Sequence, residues 1–182
     1  MKKTITIFSL SLAIISPLLL SPIVNAQPYG AGLYDANVPY GNQTSLSIAT
    51  SGNVTIPNIT PTTGGTLGRG TNTVTVTSTD VVGFKLYVRS LTSTNMNNLG
   101  ALIPTSANVA PAALVADTWG YNTDASTNFV GTTLSDVLIK SIIGPVSTGN
   151  VTTFTYGMNV DLLKPAGNYT TSVIYTAVPQ TN

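Results

Sequence analysis

VTTFTYGMNVDLLKPAGNYTTSVIYTAV, residues 151–178, is the stretch on which the fold turns. Its first half sets Phe154, Tyr156, Met158 and Val160 at period two, and its second half sets Tyr169, Thr171, Val173 and Tyr175 at the same period. Successive side chains of a strand point to opposite faces, so each half reads as a strand with one packed face. Pro165-Ala166-Gly167-Asn168 between them is turn chemistry. The two halves are therefore expected to form a closing antiparallel hairpin, with Tyr169, Val173 and Tyr175 packed.

Working outward, the same pattern recurs. TNTVTVTST, residues 71–79, alternates Val74 and Val76 with threonines, which suits a half-buried strand. VVGFKLYVRS, residues 81–90, puts Val82, Phe84, Leu86 and Val88 on one face and Lys85, Tyr87 and Arg89 on the other. SLSIATS, with Leu46 and Ile48, and VTIPNIT, with Val54 and Ile56, read as two more strands, the second at an edge or ended by Pro57. A strand is expected near Val137 to Ile143, and TWGYNT carries the single Trp of the chain. Residues 91–116 read as a long connection with one short helical turn around Pro111 to Val115. About eight short strands without a long 3.6-period segment predict an all-β fold, a single antiparallel β-sandwich of immunoglobulin-like or jelly-roll-like kind. A small closed barrel is the alternative.

The N-terminus reads as an export signal. Lys2 and Lys3 precede an apolar stretch from about Ile5 to Leu20, and Val24-Asn25-Ala26 supplies small residues for cleavage between Ala26 and Gln27. Pro17 and Pro22 interrupt the stretch, which is shorter than the roughly 20 apolar residues of a spanning helix. The expected organisation is a signal peptide at 1–26, an irregular Gly/Pro/Tyr-rich arm at 27–43 and a sandwich domain at 44–180, secreted or held at the cell surface. No later stretch is apolar enough to span a bilayer, and no wall-sorting motif or lipobox Cys is present.

Charge is sparse. Of 7 Lys and Arg, Lys2 and Lys3 leave with the signal, so 5 remain against 6 Asp, a net charge of −1 that steers toward neither nucleic acid nor an anionic membrane. The absence of Cys leaves the fold without disulfides, so the core alone must hold it.

The absence of His, Cys and Glu removes the usual general bases, the thiol nucleophile and the commonest zinc ligands, so no enzyme activity, cofactor or metal is expected. Lys140 and Ser141 are neighbours, but adjacent strand residues face opposite ways and cannot form a dyad. Asp117-Thr118-Trp119 resembles the Asp-Thr-Gly loop of aspartic proteases only until Trp119 takes the place of the Gly. Asp117 and Asp124 lack the ordered spacing of a Ca²⁺ loop. Trp119 and Tyr121 alternate on one strand and, with Tyr87, are the candidate glycan contacts through ring stacking, although a core Trp is the commoner use. Asn42, Asn53, Asn58, Asn150 and Asn168 each open an N-x-[ST] triplet, a pattern that an Asn- and Thr-rich chain produces by chance. Exported sandwiches can also cross-link a buried Lys to an Asn with help from an acid. Lys140 in VLIKSII is the best placed lysine for this, Lys85 lies on a polar face, and a solvated Lys140 is the default expectation.

The succession SLSIATSGNVTIPNITPTTGG, TNTVTVTSTDVVGFKLYVRS, TWGYNTD and TTFTYGMNVDLLKPAGNYTTSVIYTAVP resembles a family of secreted surface proteins, without assigned biochemical activity, frequent in candidate-phyla bacteria such as the Saccharibacteria. The likeness covers nearly all of the chain after residue 26, and its most specific pieces are the TWGY strand and the segment Pro165 to Pro179. Members often carry a Cys near the mature N-terminus; this chain has none, so no role of that thiol transfers. The resemblance implies a surface β-sandwich and supplies no catalytic or binding residues. A looser likeness, at the Pro-Ala-Gly-x-Tyr-Thr segment alone, exists with WxL domains and chaperone-usher pilin subunits.

Two functions are compatible with these features. One is an exported structural or adhesive surface protein whose partners are other surface subunits or cell-wall and host-cell components, with self-association through strand edges or the arm. The alternative is a secreted carbohydrate-binding module using Trp119, Tyr121 and Tyr87.

Overall fold

The structure, a computed structural model, describes residues 45–79 and 81–180. The signal segment, the cleavage site at Ala26 and Gln27, the arm at 27–43 and Asn42 lie outside the described residues.

Nine strands follow one another, with no helix among the described residues: β1 Ser45–Thr50, β2 Thr66–Thr79, β3 Gly83–Ser90, β4 Met96–Asn98, β5 Ala101–Ile103, β6 Thr118–Asn122, β7 Val137–Ile143, β8 Val146–Val160 and β9 Val173–Gln180. They form a four-stranded sheet in the order β1-β2-β8-β6, a three-stranded sheet in the order β7-β3-β9, and the β4-β5 hairpin, with every strand pairing antiparallel. Neither large sheet closes on itself, so the molecule is a sandwich and not the closed barrel.

The core lies between the sheets. Val74 and Val76 of β2, Phe84, Leu86 and Val88 of β3, Trp119 and Tyr121 of β6, and Phe154 and Tyr156 of β8 form one buried cluster, to which β4 and β5 add Met96 and Ile103. The sets of β2 and β3 alternate with outward threonines or with Lys85, Tyr87 and Arg89, the period expected of strands with one wet face. Val82 departs from its expected place: it precedes the first residue of β3 and is exposed.

The expected closing hairpin does not form. β8 pairs with β2 on one side and β6 on the other, so its backbone donors and acceptors are already used, whereas β9 pairs with β3 in the opposite sheet. The two stretches meet face to face instead of edge to edge: the Phe154 and Tyr175 rings lie 4.8 Å apart, and the Tyr156 and Tyr175 hydroxyls share a hydrogen bond across the core. The turn-like segment is a crossing between sheets, and β9 starts at Val173 rather than Tyr169. Tyr169, Val173 and Tyr175 all pack against the core cluster.

VTIPNIT is not a strand either. The first half of β2 carries Gly68 and Gly70 in register with the inward residues Asn72 and Val74, leaving a floor without side chains. Ile59 and Val54 pack into that space. A Cβ on Gly68 would stand 2.6 Å from Ile59 Cγ1, and one on Gly70 would stand 2.7 Å from the Thr55 carbonyl oxygen. The segment therefore fills the core with side chains instead of extending a ladder.

The connection at 91–116 contains the β4-β5 hairpin and extended chain, with no helical turn at Pro111 to Val115. Leu99 and Gly100 form the tip with φ of 49° and 98°, the positive values a two-residue hairpin turn of the favoured hand requires.

On the outer face of the larger sheet, Gly120 stands opposite Gly157 in the β6-β8 ladder. The Phe129 ring, fully buried, lies over Gly157, and its segment is held to the β6 edge by the reciprocal Tyr121–Val130 hydrogen bonds.

Candidate interaction surface

The three aromatic residues singled out as glycan contacts do not form a platform. Trp119 has no exposed surface; its Nε1 donates to the Thr94 carbonyl at 2.8 Å, and its ring lies 6.5 Å from that of Tyr156. Tyr121 is buried beside Phe154 and Tyr156, and burial pushes its hydroxyl up from the ordinary tyrosine range. Tyr87 is half-buried on β3, in the other sheet, between Lys85 and Arg89. Stacking on a sugar needs an accessible ring face, which neither Trp119 nor Tyr121 offers.

Asp117 and Asp124 lie at opposite ends of β6 and are each engaged locally. Asp124 accepts a hydrogen bond from the Ser126 backbone N–H, and hydrogen bonds from Ser126 hold its carboxyl below the ordinary value. Among the described residues no three His, Cys, Asp or Glu side chains come together. Ser141 and Lys140 diverge as strand geometry requires: Ser141 Oγ accepts from Gln180 Nε2. Lys140 Nζ instead donates to Asn150 Oδ1 at 2.7 Å, and the residue is half-buried, not freely solvated. Asn53, Asn58 and Asn168 are exposed, whereas Asn150 is half-buried.

One end of the sandwich gathers three loops around Lys164. Its Nζ donates to the Leu102 carbonyl at 3.0 Å and lies 3.5 Å from Asp117 Oδ2. Asp117, held at a φ of 60°, accepts from the Asp161 backbone N–H through its other oxygen. Asp161 in turn accepts from the backbone of Gly64 and Leu163. Asn98 Nδ2 donates to the Ala166 carbonyl, which ties the β4-β5 hairpin to the same crossing.

With its polar groups paired to one another, this end also presents apolar side chains to solvent. Leu99 and Leu163 are almost entirely exposed, Val115 and Leu162 more than half, and Leu102 in part. Single exposed apolar residues are ordinary, but bulky ones gathered on loops that a hydrogen-bond network fixes in place form a surface suited to a partner. Periodicity could not find them, because Leu99, Val115, Leu162 and Leu163 sit in turns and connections; Leu99 and the pair Leu162-Leu163, apolar residues where turns are normally polar, were the available signal. Compared with known protein families and with curated proteins, the chain matches none.

Proposed function

We propose that the protein is an exported cell-surface structural or adhesive β-sandwich, without catalytic activity, that acts through protein–protein or cell-wall contacts. The observation that carries this reading is the apolar loop end around Lys164, where Leu99, Leu102 and Leu163 stand out from a network of satisfied polar groups. A sequence without His, Cys or Glu, a signal-like N-terminus and the resemblance to secreted surface proteins support it. The contact chemistry is apolar anchoring by preplaced side chains.

The test is cell fractionation of the full chain with an antibody, together with sedimentation of the purified protein, for the natural chain and for Leu99→Ser with Leu163→Ser. Recovery with the cell surface or as oligomers, reduced at least several-fold by the double substitution at unchanged Tm, is expected. Recovery of the natural chain only as a free monomer in the medium would count against the proposal.

A further inference from the structure

Lys140 is a lysine on the inward face of its strand. In the β3-β7 ladder it stands opposite Leu86, which has no exposed surface. Directly opposed residues of an antiparallel pair present their side chains on the same side of the sheet, so Lys140 enters the sandwich from the smaller sheet. Asn150 stands opposite Val76, also fully buried, and enters from the larger one. The two side chains meet between the sheets through the 2.7 Å contact of Nζ with Oδ1. Lys140 belongs to neither ion pair found among the described residues, so its partner is a carboxamide and not a carboxylate. Thr152, the next inward residue of β8, keeps its buried Oγ1 without a hydrogen-bond partner, and with Lys140 it lines a cavity of about 250 Å³.

We propose that Lys140 and Asn150 are the reactive pair of an intramolecular amide cross-link between the two sheets. Nζ, as the free amine, attacks Cγ of Asn150. The Nζ–Cγ bond forms, the Cγ–Nδ2 bond breaks, and a proton lost from Nζ departs with Nδ2 as ammonia. The products are one secondary amide and one ammonia, and the balance needs no oxidant, metal or cofactor. A contact through Oδ1 leaves Nζ on the order of 3.5 Å from Cγ, the separation of reacting atoms in a near-attack arrangement. Rotation about the Asn150 Cβ–Cγ bond turns the amide face toward the amine, and the adjoining cavity takes the leaving ammonia. Amine and amide do not react at useful rates when free in water; holding both on opposed strands supplies the proximity that the free reaction lacks.

The linked product resists tryptic cleavage after Lys140, so Lys140 and Asn150 stay in one continuous peptide that carries an internal link. The full chain, purified and then denatured, is digested with trypsin, both freshly and after prolonged incubation, and the peptides are sequenced by mass spectrometry. Intact mass alone is insufficient, since cyclisation of an N-terminal Gln27 also releases one ammonia. A single peptide uncleaved at Lys140, running from Ser90 through Asn150 and lighter by one ammonia, with the link located between the Lys140 and Asn150 side chains, is expected, absent from Lys140→Arg and Asn150→Ala. Complete cleavage after Lys140 with an unmodified Asn150 peptide in every natural-chain sample would overturn the proposal, as would a Lys140 cross-link that persists in Asn150→Ala.

Discussion

Gly157→Ala adds a single methyl group at the outward face of the central strand β8. Its Cβ would stand 2.5 Å from Cζ and 2.6 Å from Cε1 of Phe129, where carbon atoms in contact prefer about 3.5–4.0 Å. The ring must move by about 1 Å, yet it is fully buried, and its backbone is fixed by hydrogen bonds with Ala112 on one side. Overpacking of this kind costs about 1–3 kcal/mol, and replacing a strand glycine by alanine returns about 0.5–1 kcal/mol. A net loss of about 1–2 kcal/mol follows, read as a fall in Tm of about 3–8 °C. The decisive comparison is the Phe129→Ala background, which itself loses about 3–5 kcal/mol. There the methyl group meets no ring, and Gly157→Ala becomes neutral or stabilising. Urea titrations of the four proteins of this cycle give the coupling between the two positions directly. A Gly157→Ala cost that is the same with and without the Phe129 ring would refute the packing argument, as would a neutral effect in the natural chain.

Trp119 is the single Trp of the chain and has no exposed surface, so its fluorescence should be blue-shifted and resist quenching by iodide until the protein unfolds; native quenching close to that of the denatured chain would contradict the burial. The core tyrosines give a pH dependence. Burial pushes the hydroxyls of Tyr156 and Tyr175 above the ordinary tyrosine range, while their shared hydrogen bond acts upward on Tyr156 and downward on Tyr175. Above about pH 10 the unfolded chain loses these protons and the folded one keeps them. Stability is therefore full below that pH and falls as pH rises past it, and Tyr156→Phe should flatten the fall in Tm. Native tyrosine absorbance in which every residue titrates at the ordinary value would sink this account.

Strand existence was legible in the sequence wherever one face is wet, because alternation then follows from geometry: Val74 with Val76, and Phe84 with Leu86 and Val88, stand where period two places them. Strand partners were not. Phe154 to Val160 and Val173 onward carry equal periodicity whether they share a ladder or face each other across a core, and only the competition of β2 and β6 for both edges of β8 decides. The glycan aromatics failed for a related reason, since period two puts Trp119 and Tyr121 on one face without saying whether that face is wet. The inward aim of Lys140 depends on the register of β7 against Leu86, next to an irregularity between Leu86 and Tyr87 that no local pattern announces. Phe129 lies in an aperiodic stretch, and its site is defined by an absence, the side chains missing from Gly120 and Gly157. The apolar end was hidden because its residues occupy turns.

The place of β8 between β2 and β6 also governs when the protein can fold. Without that strand the larger sheet is two unjoined pieces, and the smaller sheet still lacks β9. Among the described residues, no pairing apart from β4-β5 joins neighbouring strands through a tight turn, so almost all of their order waits on contacts between residues far apart in sequence, which form slowly. A chain emerging N-terminus first stays open until its last strands arrive. For a protein that crosses a membrane as an extended thread, as proposed, this topology delays folding until passage is nearly complete.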